Sequence, residues 1–341
     1  MLTPVVFFIL TMVSYPSSYG GEAQDLLAQG YASYQNNQWT AAIGPLERAV
    51  QLYPGYAEAH HLLGLVLTHL GKDDQAITAL KRSIEAYPQF SQAYLDLGLV
   101  YQKQAKYELA ERAFRQALMA YPTFFESRVA LASLYDQRQK PQAAIKAHQA
   151  VLKLDSHNEA SLYGMAYWLA HEKKVQSAQR YVEQLTSQNP HHLNGWLLAG
   201  LLAQQSDQVE KAIQAYQQAA TLNKTLPDPY FNLGILYQQQ EHYARAAEAF
   251  ERVTRLDAKN PVAHVNLGVT YAALSKVQQA EKEYRTALQL NPQLSEAHYN
   301  LGLLYEFHHN APETALKHYQ EYINLGGKDE RIIKLLERVK S

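Results

Sequence analysis

Three asparagines, Asn232, Asn266 and Asn300, stand 34 residues apart in the C-terminal part of a 341-residue chain, and Asp96 holds the corresponding place earlier. A carboxamide carries one acceptor oxygen and two N–H donors, so each of these side chains can pair with both the N–H and the C=O of one residue in an extended peptide. A row of them would grip a peptide backbone without reading its side chains. The same groups have an internal use: each can pair with the backbone of a neighbouring helix and only stabilise the stack. Aromatic and imidazole side chains gather in the N-terminal half, at Tyr31, Tyr34, His61, His69, Tyr163, Tyr167 and His171. Rigid side chains of this kind supply contact area at interaction surfaces.

The remaining reactive groups do not assemble into a catalytic motif. Of fourteen histidines, six form the adjacent pairs His60-His61, His191-His192 and His308-His309. Neighbours on a helix point about 100° apart and lack the i,i+4 spacing that sets two imidazoles over one ion. The sequence contains no HExxH, no glycine-rich phosphate loop and no GxSxG elbow. It has no cysteine, which excludes disulfides, thiolate catalysis and cysteine-ligated metals. Thirty-one Lys and Arg against thirty-two Asp and Glu leave a net charge of −1, so no global field draws the protein to nucleic acid or an anionic membrane. These features predict a protein that is not an enzyme and needs no cofactor or metal.

The elements that must carry the asparagines announce themselves by period. Small residues recur every 34 positions at Gly30, Gly64, Gly98, Ala132, Ala166, Gly200, Gly234, Gly268 and Gly302. A second series follows each of the first eight by twelve residues, from Ala42 and Ala76 through to Ala280, and slips by one residue to Ala315 in the last copy. Prolines close many copies, at Pro54, Pro88, Pro122, Pro190 and Pro292. In the copy that begins at Ser91, Tyr94, Leu97, Gly98 and Tyr101 mark the buried stripe of one helix, and Leu109, Ala110, Ala113, Phe114 and Ala117 that of a second. The short polar corner between them, Lys103 to Lys106, predicts an antiparallel hairpin. Gly or Ala on the first helix and Ala on the second allow close approach of the two backbones. Each hairpin then buries its apolar face only against its neighbours, as a solenoid does.

The pattern resembles the tetratricopeptide repeat family. It reads Tyr230, Leu233, Gly234, Tyr237, Ala246, Phe250 and Val253 in one copy, and His264, Leu267, Gly268, Tyr271, Ala280, Tyr284, Ala287 and Pro292 in the next. The resemblance covers about residues 23 to 328. It implies an all-α, right-handed superhelical solenoid of nine helical hairpins, at about 23–56, 57–90, 91–124, 125–158, 159–192, 193–226, 227–260, 261–294 and 295–328. The copies at 125–158 and 159–192 are degenerate, with Ala132 and Ala166 in place of Gly and with His148 and Val182 in the aromatic slot.

In such solenoids the first helices line an inner groove, and the second, fifth, sixth, ninth, twelfth and thirteenth positions of each repeat face it. The asparagine row holds the sixth position, and resembles the asparagine ladder of O-linked N-acetylglucosamine transferase repeat domains. The fifth and ninth positions are mostly apolar, and no three consecutive repeats carry the cations of a carboxylate clamp. The expected partner is a protein or extended peptide held in the groove, with no nucleic acid or small-molecule substrate. The alternative is a scaffold or assembly factor in an envelope, secretion or polysaccharide-export complex, at the membrane periphery.

Both ends differ from the repeats. Val5 to Val13 reads VVFFILTMV and is followed by Ser, Pro and Gly residues. This run is too short for a span of about 20 residues but suits the core of a secretory signal. Residues 1–21 are therefore expected to direct export to a periplasmic or extracellular compartment; an uncleaved tether or a segment packed on the first repeat are the alternatives. After Gly326-Gly327, residues 329–341 are expected to form a capping helix, with Ile332, Leu335, Leu336 and Val339 towards the last hairpin.

Overall fold

The computed structural model describes residues 21–340, so the apolar run at Val5 to Val13 lies outside the described residues. The described residues form nineteen α-helices and no strand. None of these helices is long and apolar enough to cross a membrane.

The chain divides into two compact units, Met1–Trp168 and Leu169–Ser341. The N-terminal unit pairs α1 (Gly21–Gln35) with α2 (Trp39–Leu52), α3 (Ala57–His69) with α4 (Asp73–Ala86), α5 (Ser91–Lys103) with α6 (Tyr107–Ala120), and α7 (Phe125–Gln137) with α8 (Pro141–Leu152). The division falls within α9 (Glu159–His171). After α10 (Val175–Gln188), the C-terminal unit pairs α11 (Leu193–Gln205) with α12 (Val209–Leu222), α13 (Pro227–Gln239) with α14 (Tyr243–Leu256), α15 (Pro261–Ala273) with α16 (Val277–Leu290), and α17 (Ser295–Phe307) with α18 (Pro312–Asn324). The last helix, α19 (Glu330–Lys340), packs on α18. The fold is thus the all-α, paired-helix solenoid architecture expected from the sequence.

Local chemistry explains each hairpin. On α6 the buried side chains are Ala110, Ala113, Phe114 and Ala117, a three-and-four spacing that leaves the charged residues outside. The corner before α6 closes with Ala105 N–H on Gln102 O at 3.0 Å and Lys106 N–H on Tyr101 O at 2.9 Å. Ala105 itself takes φ 57°, and most equivalent corners are left-handed on ordinary residues as well, Gln139 and Glu241 among them; only Gly71 is a glycine. A left-handed residue with a Cβ costs about 1 kcal/mol, so the corners are held by the packing on either side.

The helical glycines make the joint. A Cβ on Gly268 would stand 2.5 Å from Tyr284 Cε1, and one on Gly234 would stand 2.6 Å from Phe250 Cζ. Phe114, Phe250 and Tyr319 are fully buried in this slot, and loss of such a ring typically costs about 3–5 kcal/mol. The repeat at 125–158 solves the same joint differently. Ala132 fits because His148 takes the slot, and the imidazole presses on Gly164, where a Cβ would collide with His148 Nε2.

Polar bonds tie successive hairpins. Tyr135 donates to Glu111 Oε1 at 3.0 Å, Tyr271 to Glu251 Oε1 at 2.9 Å and Tyr305 to Glu281 Oε1 at 2.5 Å. At the C-terminus Ile332 and Leu336 are buried as a cap requires, and Arg331 binds Glu306 at 3.0 Å. Val339 departs from the expected cap: it shares the apolar face but is 59% exposed, because the face of α19 outruns the hairpin it covers.

Candidate functional site

Positions are counted here from the first residue of each 34-residue repeat, which makes Asn232 the sixth of its repeat. In the C-terminal unit α15 touches both α13 and α17 directly, and successive first helices lie closer together than successive second helices. The first-helix side is therefore the inner, more crowded side within that unit. Asn232, Asn266 and Asn300 all lie there, half-buried.

Their carboxamides are not equivalent. Asn266 Nδ2 donates to Val262 O, one turn back on its own helix, at 2.9 Å. Its backbone carbonyl receives Gln238 Nε2 at 3.1 Å and Thr270 Oγ1 at 2.7 Å. Among the described residues, neither the Asn232 nor the Asn300 side chain has a hydrogen-bond partner, so both retain two donors and an acceptor for a ligand. Asn232 opens onto a depression of about 360 Å³ lined by Asp228, Phe231, Val253, Asn260 and Val262. The ninth position, one turn beyond the sixth, presents exposed apolar surface at Leu201 (45%) and Val269 (37%), with Ile235 and Leu303 half-buried. The fifth position belongs more to the core: Val265 is buried, and Leu197, Phe231 and Tyr299 are half-buried.

The sixth position has another fate in the N-terminal unit. Asp96 Oδ2 binds His61 Nε2 at 2.7 Å and also accepts Gln92 Nε2 at 3.2 Å. His61, expected on the groove surface, is in fact 1% exposed; the carboxylate of the next repeat and the ring of Phe90, 4.8 Å away, cover it. Beside this pair, His69 stacks on Trp39 at 4.3 Å, and Tyr34 meets both rings edge-on. Burial, with Asp96 and then Tyr31 nearby, raises the Tyr34 pKa, and burial alone lowers that of His69. Tyr31 is half-buried beside this cluster and Tyr163 is half-buried against the exposed ring of Tyr167 at 6.3 Å, while His171 is exposed in the C-terminal unit. Of the groove residues named from sequence in the N-terminal unit, His61 is thus buried, Tyr31, Tyr34 and Tyr163 are half-buried, and His69 and Tyr167 are exposed.

One constellation copies the order of a catalytic triad. Ser161 Oγ lies 3.2 Å from His148 Nδ1, and His148 Nε2 lies 2.9 Å from Asp136 Oδ1. Ser161 and His148 are 2% and 3% exposed, and Trp168 Nε1 donates to the same carboxylate at 2.6 Å. A hydroxyl so enclosed cannot meet a carbonyl substrate; Ser161 and His148 are buried polar groups satisfied by each other and by the part-exposed Asp136 carboxylate. Among the described residues, no three His, Cys, Asp or Glu side chains converge to hold a metal ion.

Sequence reasoning missed a structural role for several of the tempting side chains. At the fourth position, His60 Nε2 donates to Pro54 O at 2.9 Å, Arg128 Nη2 to Pro122 O at 2.5 Å and Trp196 Nε1 to Pro190 O at 2.8 Å. His264 and His298 reach Ala258 O and Pro292 O at 3.3 Å. Each closes the turn from the preceding repeat by capping a carbonyl six residues back. The signal was present as ring or guanidinium N–H donors at one position of the repeat, in alternate copies from His60 to His264 and again at His298.

Fold and face together define a helical-repeat protein with an inner surface of carboxamides and apolar side chains. Its sequence matches a tetratricopeptide repeat model over residues 27–89, 95–159, 231–295 and 267–330, and a second TPR repeat model over 204–241. The chain belongs to the tetratricopeptide repeat family. Among solved structures it is similar to the C-terminal part of a TPR repeat-containing protein from Cytophaga hutchinsonii, at 14% identity and a TM-score of 0.62, over 71% of this chain and 99% of that one. It is also similar to YrrB, described as a TPR protein with an unusual peptide-binding site, at 16% identity and a TM-score of 0.51, over 57% of this chain and 100% of that one. No curated protein sequence matches it significantly.

Proposed function

We propose that the protein is a non-catalytic interaction module whose C-terminal unit holds an extended segment of a partner protein along the first-helix face. The observation that carries this reading is the pair of unpartnered, half-exposed carboxamides, Asn232 and Asn300, beside the exposed apolar ninth positions Leu201 and Val269. Packed helices stand roughly 10 Å apart, which is about three residues of extended chain. The two free carboxamides, two first helices apart, would therefore meet peptide units about six residues apart. YrrB, with its peptide-binding site, offers a precedent in the same fold. The likeness to the transferase ladder is kept to this backbone-gripping geometry, without any transferase activity.

The test is selection of peptides from a random library, followed by affinity measurement with the variant N232A/N300A. The reading expects selected peptides to lose most of their affinity for the variant, and to lose it again when N-methylation blocks their own backbone N–H groups. Peptides that bind parent and variant alike would sink it.

A second reading, an assembly contact, is favoured by one observation on the N-terminal unit. Leu109 and Met119 of the second helix α6 are 39% and 73% exposed, and Tyr121 beyond it is 53% exposed. Self-association or co-purification lost in M119K but kept in N232A/N300A would select this reading. The proposed compartment, outside the cytoplasm, rests on residues 1–21; N-terminal sequencing of the protein from its native host decides whether they are removed.

A further inference from the structure

Resting on the groove reading above, we infer that the preferred occupant is an extended protein segment with two basic side chains about six residues apart and an apolar residue between them. The inference comes from how charge is distributed. The first helices of the C-terminal unit from α11 onwards, α11, α13, α15 and α17, contain no Lys or Arg; their charged residues are Asp228, Glu296 and Glu306. The basic residues of the same hairpins stand on the second helices, as Lys211, Arg245, Arg252 and Arg285 do, or in the turns, as Lys224, Lys259 and Lys276 do, the last over the ring of Tyr271.

Of the three carboxylates, Glu306 is already engaged by Arg331 and by the Tyr319 hydroxyl. The other two are exposed and unpaired with any cation among the described residues: Asp228 has no partner, and Glu296 accepts only Ser295 Oγ at 3.2 Å. The lysines nearest in sequence to the asparagine helices, Lys224 and Lys259, sit in the turns before α13 and α15 and form no ion pair. Both free carboxylates hold the second position, one helical turn before an unpartnered asparagine on the same face, Asp228 before Asn232 and Glu296 before Asn300. Asp228 and Asn232 line one depression with Val262, which holds the second position of the intervening repeat and is 47% exposed.

The face therefore offers an anion, an apolar spot and an anion at one-repeat steps, with a carboxamide beside each anion. Two steps span roughly 20 Å between packed helices, or about six residues of extended chain. A segment with acidic side chains at those points would meet like charge with no cation at hand, which is the repulsive half of specificity. Acids in a first turn also stabilise the helix dipole. Glu58 and Glu126 hold the same position in the N-terminal unit without a neighbouring asparagine and serve as the control for that role.

The test uses the whole protein and labelled peptides of about a dozen residues, followed by fluorescence anisotropy at low ionic strength. One peptide carries Arg at the two points with Val midway; the others carry Glu or Ser in place of Arg. The Arg peptide is expected to bind about tenfold or more tighter than the Ser peptide, with the gap closing as salt is added. In D228N/E296Q the Arg peptide should fall to the level of the Ser peptide, whereas E58Q/E126Q should change nothing. D228K/E296K should reverse the preference towards the Glu peptide. Equal binding of Arg and Glu peptides, with both weakened by N232A/N300A, would overturn the charge inference and leave the backbone reading standing. If no peptide binds the parent better than N232A/N300A, both fall.

Discussion

The sixth position of the repeat does opposite things in the two units. In the N-terminal unit it is Asp96, held at 2.7 Å by a buried His61 from the previous repeat and by Gln92 from its own helix. In the C-terminal unit it is Asn266, turned back to Val262 O, and Asn232 and Asn300, half-buried and without a side-chain partner among the described residues. Turns between repeats also change along the chain. Tyr53-Pro54, Tyr87-Pro88 and Tyr121-Pro122 open the first three, while Asp155, Asn189, Asn223, Asp257 and Asn291 open later ones by accepting a backbone N–H two residues on. One helical scaffold thus supports a polar position used for cohesion in one region and left available in another. What distinguishes them is whether the preceding repeat supplies a complementary side chain at the fifth position: His61 does for Asp96, whereas Leu197 before Asn232 and Val265 before Asn300 cannot.

The comparison breaks most visibly at the His61–Asp96 pair. Replacing His61 with Ala leaves a largely enclosed carboxylate with Gln92 but without its imidazole partner and should cost about 3 kcal/mol in chemical denaturation. Adding Asp96→Asn to that variant should restore part of the loss; additivity of the two changes would show the pair to be uncoupled. Next in size is the interhelical joint. Gly268→Ala drives a methyl into Tyr284 and should destabilise by about 1–3 kcal/mol, whereas Ala132→Gly, where the methyl is already accommodated beside His148, should cost only about 1 kcal/mol through helix propensity. An equal response at both would mean that His148 fills its slot as Tyr284 does.

At the left-handed corners, Ala105→Gly and Glu241→Gly should stabilise by about 0.5–1 kcal/mol, and a drop in melting temperature for both would refute the claim that these corners are strained. For the free asparagines, stability is the smaller readout. Asn232→Ala should change it by no more than about 0.5 kcal/mol. A larger loss would assign the side chain to the stack.

The pH dependence separates two histidines of the last repeats. The hydrogen bond that His264 Nδ1 donates to Glu283 Oε2 at 2.6 Å, which outweighs burial, raises the His264 pKa. Its contribution to stability is complete below the unfolded value near 6.5 and is lost as pH rises through the raised folded value. Burial, then His298 and Arg285, lowers the His318 pKa to about 4. That contribution is complete above about 6.5 and is lost as pH falls towards about 4. Stability followed against pH should therefore flatten on the alkaline side in His264→Gln and on the acid side in His318→Gln; identical profiles for both variants would contradict the assignment.

The sequence by itself determined the helical class, the 34-residue period and the hairpin corners, because these follow from local spacing repeated along the chain. Tertiary structure set the ring of Tyr284, sixteen residues on in the same hairpin, against Gly268, where the spacing had pointed to an alanine as the facing residue. Tertiary structure alone decided which polar side chains are engaged. His61 reaches Asp96 thirty-five residues on, and Asn266 turns back to Val262 while Asn232 and Asn300 do not. Those outcomes depend on rotamers and on the side chain that the adjoining repeat presents, and a periodic pattern is silent about both. The fourth-position closers lie between these limits: their recurrence was visible in the sequence, but their purpose appeared only when the turn carbonyls came within 2.5–3.3 Å of them.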